Sequence, residues 1–304
     1  MRLGYRALLA ALFAVWALPA RAGWVSVAAP EGLSSTASFY GIAIAGPEIW
    51  LVGADGSASV VVRGVDVPVL QTGLGATGTL RAACGMPDGS LHAFGDNRAH
   101  VSFDAATGTW DTGNLFGVTR FGASSVSCLP DVGKVYVAGA DTMSAYAVLA
   151  EWVPGAGAPT LYQDMFYVAF DAGAFRGDAD GVLSSFSTLS AFQGSFAALS
   201  GPADLTSGTF EAISFFGNVG LAVGQDLANG RALVLRIGAD NSLEWGGDPG
   251  FVGVNDGMLV TPAFAIVAGA AGQVAVSYDW GASWELRPIP SAPDLHAVAC
   301  TDPV

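Results

Sequence analysis

The chain has 304 residues, 12 Lys or Arg against 26 Asp or Glu, three histidines and three cysteines. Its formal net charge of −14 leaves no basic clusters of the kind that neutralise phosphates, which excludes nucleic acid and anionic membrane surfaces as partners. High glycine, low charge and short apolar runs broken by Gly, Pro and Asp read as strands and turns throughout.

The N-terminus reads as an export signal. Arg2 and Arg6 precede an apolar run from Ala7 to Leu18, and Ala20-Arg21-Ala22 offers small residues at the positions a signal peptidase reads. The run is shorter than the roughly 20 residues of a transmembrane helix. Cleavage after Ala22 is expected, leaving residues 23–304 as one domain with nine basic groups against 26 acids. The expected location is secreted, periplasmic or cell-surface, with no membrane insertion of the mature, monomeric chain.

From residue 40 onward a unit recurs: a strand-like run ending in a small residue and glycine, then an acidic turn. The copies are Ile49–Gly53, Leu91–Gly95, Val135–Gly139, Ala174–Gly177, Leu221–Gly224 and Ile266–Gly269, with glycines 42, 44, 38, 47 and 45 residues apart. Units of about forty residues built from short strands indicate a β-propeller, each unit a four-stranded antiparallel blade. The first repeat parses as 40–45, 48–52, 57–63 and 67–71. The second parses as 80–85, 90–94, 99–103 and 107–112. Trp110, Trp152, Trp245 and Trp284 fall near outer strands, where blades diverge. Trp24–Val27 reads as an outermost strand and Leu295–Cys300 as an innermost one. Six blades with extra end strands is the first reading, and seven is the second.

Cys84 and Cys128 each precede their repeat glycine by 11 residues, and Cys300 ends the last segment. One disulfide, in any of three pairings, and no disulfide at all are both open; small buried residues of inner strands would read the same way. His92 and His100 lie on consecutive strands without a third ligand at a metal-binding spacing, and read as solvated hairpin residues.

Ser277-Tyr278-Asp279-Trp280-Gly281-Ala282-Ser283-Trp284 resembles the Asp-box, Ser-x-Asp-x-Gly-x-Ser/Thr-Trp. With Leu295–Val298 it makes the chain similar to the Asp-box (BNR) propellers of the photosystem II stability/assembly-factor and sialidase type. The resemblance implies a structural turn. In it Ser277, Asp279 and Ser283 tie the backbone, Gly281 supplies a conformation closed to side chains, and Trp284 packs between blades. It also implies a binding or assembly role. Sialidase-like hydrolysis is the alternative, but the sialidase Arg-Ile-Pro signature is missing, since Pro288 interrupts Arg287-Pro288-Ile289-Pro290. No catalytic residue and no cofactor is assigned. Asp178-Ala179-Asp180-Gly181 carries only a fragment of a calcium loop.

Aspartates follow the repeat glycine in five units: Asp55, Asp96, Asp141, Asp178 with Asp180, and Asp226. If each marks the turn between a blade's second and third strands, they form an acidic rim at one channel mouth, suited to a cationic partner. Aspartate is also simply a good turn residue. The function read from the sequence is an exported, non-catalytic module binding a protein or glycan through loops at that mouth.

Overall fold

The computed structural model describes residues 29–56, 58–64, 68–72, 74–76, 78–113, 121–144, 146–202, 208–228, 230–290 and 292–300. The expected export signal (residues 1–22) and Trp24–Val27 lie outside them.

Six four-stranded antiparallel sheets form a ring, a six-bladed β-propeller. Blade one comprises β1 (Ser38–Ala45), β2 (Glu48–Asp55), β3 (Ala58–Gly64) and β4 (Val69–Gln71). Blade two has β5 (Leu80–Gly85), β6 (Leu91–Gly95), β7 (His100–Asp104) and β8 (Thr109–Gly113). Blade three has β9 (Phe121–Leu129), β10 (Lys134–Asp141), β11 (Tyr146–Trp152) and β12 (Thr160–Asp164). Blade four has β13 (Ala172–Gly177), β14 (Asp180–Ser185), β15 (Thr188–Phe192) and β16 (Phe196–Ala198). Blade five has β17 (Thr209–Phe216), β18 (Val219–Gln225), β19 (Ala232–Ile237) and β20 (Leu243–Trp245). Blade six has β21 (Val254–Leu259), β22 (Ala265–Gly269), β23 (Val274–Ser277) and β24 (Glu285–Leu286). The first strands touch their neighbours round the axis, β1 with β5, β5 with β9, and so on to β17 with β21.

The repeat glycine has a steric cause. A Cβ at Gly53, Gly95, Gly139, Gly224 or Gly269 would overlap the carbonyl of Ser38, Thr79, Gly122, Thr209 or Gly253, the residue that leads into the facing inner strand. In each of these blades the inner strand carries a register shift at this point. The bulge pushes its backbone against the second strand, and only a residue without a side chain fits.

Blade four departs from this pattern, and the sequence reading of it needs correction. Ala174–Gly177 belongs to the inner strand β13, not to a second strand. Ser184, paired with Ala172, holds the place of the glycine. Its hydroxyl accepts from the Ala172 N–H at 3.0 Å and reaches the Phe210 carbonyl at 3.2 Å. The register shift of this blade sits instead between Phe175 and Gly177, at the other end.

The core is a set of slabs between blades. Trp50, Val61 and Phe103 pack between blades one and two. Phe94, Val137 and Trp152 pack between two and three, and Tyr136, Leu149, Phe175 and Phe192 between three and four. Leu189, Phe210 and Leu235 join four to five, and Leu221, Val234 and Val267 join five to six. The last slab sets Ile266, Val274 and Val276 of blade six against Leu295 and Val298. Each such side chain contributes about 1.5–3 kcal/mol when fully buried.

Segment 294–300 therefore takes the innermost place beside β21, as expected, but side chains hold it rather than a strand ladder. Asn255 Nδ2 donates to the Leu295 carbonyl at 2.9 Å, and the Val298 N–H donates to Asp256 at 2.6 Å. His296 lies against Tyr40 of blade one, ring centroids 6.0 Å apart. Burial pushes the Asp256 carboxyl up to about 7, the desolvation cost of placing an anion between packed strands.

Two further sequence readings change. Cys84 and Cys128 form a disulfide joining the inner strands of blades two and three, Cα atoms 5.6 Å apart. Cys300 is a free thiol, and burial pushes it up to about 11. His92 and His100 are buried, not solvated, at 7% and 2% exposure. Their rings stack on each other, with Trp152 edge-on to both. Burial depresses both imidazoles to about 4, so they act as neutral packing groups.

Candidate functional site: the crossover face

The topology gives the wheel two unlike faces. One carries the turns between second and third strands together with the blade-to-blade crossovers; we call it the crossover face. The hairpin face carries the turns joining strands one to two and three to four.

Asp55, Asp96, Asp141 and Asp226 end or follow the second strands β2, β6, β10 and β18, and so lie on the crossover face. Asp55 accepts from the Thr36 hydroxyl at 2.9 Å. Asp96 is paired with Arg81 at 2.9 Å. Asp141 accepts from the Met143 N–H at 2.9 Å and the Ser144 hydroxyl at 2.7 Å. These donors hold it below the usual carboxylate range. Asp226 accepts from the Ala228 N–H at 2.9 Å. Asp141 and Asp226 tie their own turns, as turn chemistry predicts, whereas Asp55 reaches back to the segment before β1 and Asp96 meets a cation of the inner strand.

Asp178 and Asp180 do not join them. They sit between β13 and β14, a first-to-second-strand turn, on the hairpin face. Asp178 binds Lys134 Nζ at 2.6 Å and the Tyr136 hydroxyl at 2.8 Å, and lies below its ordinary range because of them. Asp180 binds Arg176 at 2.8 Å. A divalent ion there would have to displace both cations. Among the described residues, no group of three or more His, Cys, Asp or Glu side chains could hold a metal.

The rim has two acids that the sequence pattern missed. Asp171, in the crossover into blade four, accepts from the Phe186 N–H at 2.8 Å. Asp294, in the C-terminal segment, accepts from the Ala271 N–H at 2.8 Å. Phe186 and Ala271 occupy the same turn position, two residues after Ser184 and Gly269. These acids come from the neighbouring chain segment rather than the turn itself, so no fixed offset from the glycine reveals them. Burial raises Asp171 above its ordinary range, and the Phe186 N–H opposes that shift.

The crossover face also exposes large apolar side chains in its turns and crossovers: Met143, Met165, Phe166, Val168, Phe186 and Leu227. Phe166 is 91% exposed and Phe186 60%. A cavity of about 170 Å³ near blade five is lined by Asp226, Arg231, Trp245 and Asp248 among others. That is below the roughly 300–1,000 Å³ of most small-molecule sites.

Residues 277–284, the segment resembling an Asp-box, lie elsewhere, between β23 and β24 on the hairpin face. Ser277 Oγ donates to Asp279 at 2.8 Å and accepts from the Gly281 N–H at 2.8 Å. Asp279 accepts from the Ser283 N–H at 2.8 Å and the Ser283 hydroxyl at 2.6 Å. The Ser283 groups hold its carboxyl below the usual range. Gly281 has φ +75°, a region favouring glycine. Trp284 packs against the slab between blades five and six. The side chains of Ser277, Asp279 and Ser283 are spent on the turn itself, which makes it a structural element.

No protein-family model matches the chain, and no curated protein matches it. Solved structures do. The chain is similar to YCF48 bound to D1 peptide, at 15% identity and TM-score 0.60 over 83% of this chain and 82% of that one. It is similar to YCF48 from Cyanidioschyzon merolae at 11% identity and TM-score 0.62, over 85% and 87%. It is also similar to U3-55K at 12% identity and TM-score 0.58, over 84% and 83%. At these identities the likeness is one of fold: the chain shares the propeller architecture of the YCF48 structures over most of its length.

Proposed function

We propose that the chain is an exported, non-catalytic propeller that binds a protein partner through its crossover face. The observation that carries the reading is the coincidence there of six rim aspartates, one beside each blade, with exposed apolar side chains. Interfaces pair desolvated apolar anchors with charged groups that steer and orient the partner. One propeller of this architecture has been seen with a peptide bound, which supports a protein rather than a glycan ligand. Export rests on the N-terminal charge and apolar pattern, and the disulfide suits an oxidising compartment.

The test is capture from the secreted fraction by residues 23–304. Capture should weaken with rising salt and with Asp55→Asn plus Asp141→Asn. Capture indifferent to both would eliminate the acidic rim as the binding element.

A carbohydrate hydrolase is the second reading, favoured only by Asp226, Asp248 and Trp245 lining one cavity. It requires aryl-glycoside hydrolysis that Asp226→Asn abolishes. Absence of hydrolysis across a glycoside panel removes it.

A further inference from the structure

On the crossover face, the seam between blades three and four carries a crossover all of whose residues are described. The crossover of residues 165–171 runs along it, and its Tyr167 carbonyl accepts from the Ala147 N–H of blade three at 2.9 Å. The Tyr167 hydroxyl accepts from Ser190 of blade four at 3.3 Å. Three exposed apolar tips flank the seam, and an aspartate holds the backbone of each. Asp141 holds the Met143 N–H, Asp164 the Phe166 N–H and Asp171 the Phe186 N–H, at 2.8 to 2.9 Å. Each exposed apolar tip thus has an aspartate bonded to its own backbone.

Phe186 is the most telling of the three. Its φ of +49° lies in the left-handed region, where blade two places Asn97 (φ +54°) and blade six Ala271 (φ +53°) at the equivalent turn position. A bulky aromatic there is strained, and its 60% exposure means that core packing does not compensate. Strain held in place by a specific hydrogen bond is a mark of functional positions. Among the described residues, the seam shows no cation of its own. Between residues 135 and 230 the sequence contains only one basic residue, Arg176, and that lies on the hairpin face bonded to Asp180.

We infer that this seam docks an extended peptide segment in which large apolar side chains alternate with Lys or Arg. The inference rests on the protein-binding reading above and names its partner chemistry. Apolar side chains cover Met143, Phe166 and Phe186. The intervening cations meet Asp141 and Asp171, which backbone N–H and hydroxyl donors hold and which have no ion pair among the described residues.

The probe is a fluorescein-labelled dodecapeptide of alternating Lys and Leu, read by anisotropy against residues 23–304. Lys–Ser and Glu–Leu peptides of equal length are the controls. The Lys–Leu peptide should bind roughly tenfold tighter than either control, and Phe166→Ser should weaken it by a similar factor. Asp141→Asn should flatten its salt dependence. Phe186→Asn separates binding from folding: it should raise the melting temperature by a few degrees, because Asn tolerates this conformation, while weakening the peptide severalfold. Equal binding of Lys–Ser and Lys–Leu, or binding unchanged by Phe166→Ser and Phe186→Asn, overturns the inference. If it fails while capture from the secreted fraction still depends on Asp55 and Asp141, only this seam is refuted. If both fail, the binding reading falls with it.

Discussion

The two faces of the wheel handle charge in opposite ways. On the hairpin face, cations and anions are paired with one another. Lys134 bridges Glu151 and Asp178, Arg176 meets Asp180, Arg63 meets Glu48 and Arg236 meets Glu244. One of them, Lys134 with Asp178, ties blade three to blade four. Arg176 also donates to the Asn218 carbonyl and to Asn241 of blade five. The Arg236 guanidinium lies 5.3 Å from the Trp280 ring centroid, and Trp280 Nε1 donates to the Gly220 carbonyl at 3.1 Å. On the crossover face, the rim acids mostly meet backbone N–H groups and hydroxyls. Arg81 with Asp96 is an ion pair on that face. The hairpin face is therefore held by ion pairs, whereas Asp55, Asp141, Asp171 and Asp294 of the crossover face are held by neutral donors.

That contrast predicts a separation of phenotypes. The largest stability loss is expected from Arg176→Met. Its side chain is 5% exposed, and its removal takes hydrogen bonds from half-exposed Asp180 and from the Asn218 and Gly238 carbonyls, a cost of about 3–5 kcal/mol for several lost charge-assisted bonds. Urea unfolding measures it, and peptide binding should be unchanged after correction for folded fraction. Next is Cys84→Ser with Cys128→Ser. The disulfide closes a separation of 44 residues, worth about 3–4 kcal/mol in the chain-entropy account. Thiol titration of the unfolded protein should find one thiol before reduction and three after it.

Acid sharpens the comparison further. The folded protein keeps His92 and His100 neutral down to about 4, against 6.5 for the unperturbed ring. Between these values the unfolded chain binds more protons, so stability falls as pH drops from 6.5 towards 4, by an amount on the order of a few kcal/mol. Asp256 opposes this. Its raised carboxyl contributes stability at low pH that is lost as pH rises from 3.8 to about 7. The acid loss should therefore be steeper in Asp256→Asn. The smallest structural effect belongs to the rim: Asp55→Asn with Asp141→Asn should shift melting by about a degree while altering binding and its salt dependence.

Much of the fold was legible because the glycine repeat has a steric origin. The strands parsed for blades one and two match β1–β8 to within three residues, since Gly, Pro and Asp punctuate them. Blade four misled because Ala174–Gly177 imitates the repeat, whereas the true equivalent, Ser184, replaces the missing side chain with a hydroxyl that bonds the inner strand. That single shift moved Asp178 and Asp180 to the wrong face. The burial of His92 had a signal in its sequence: it lies within the apolar run Leu91-His92-Ala93-Phe94, which becomes a central strand covered on both sides. Asp171 and Asp294 had none, because their roles depend on how a crossover and a terminal segment fold back over a turn.

Hydrogen exchange with and without the Lys–Leu dodecapeptide tests the central claim most directly, since it reads both faces at once. The account predicts added protection in segments 141–144, 165–171 and 185–188, with the hairpin-face turns at 130–134, 178–180 and 238–242 unchanged. Protection confined to the hairpin-face turns, or spread evenly over both faces, would contradict it.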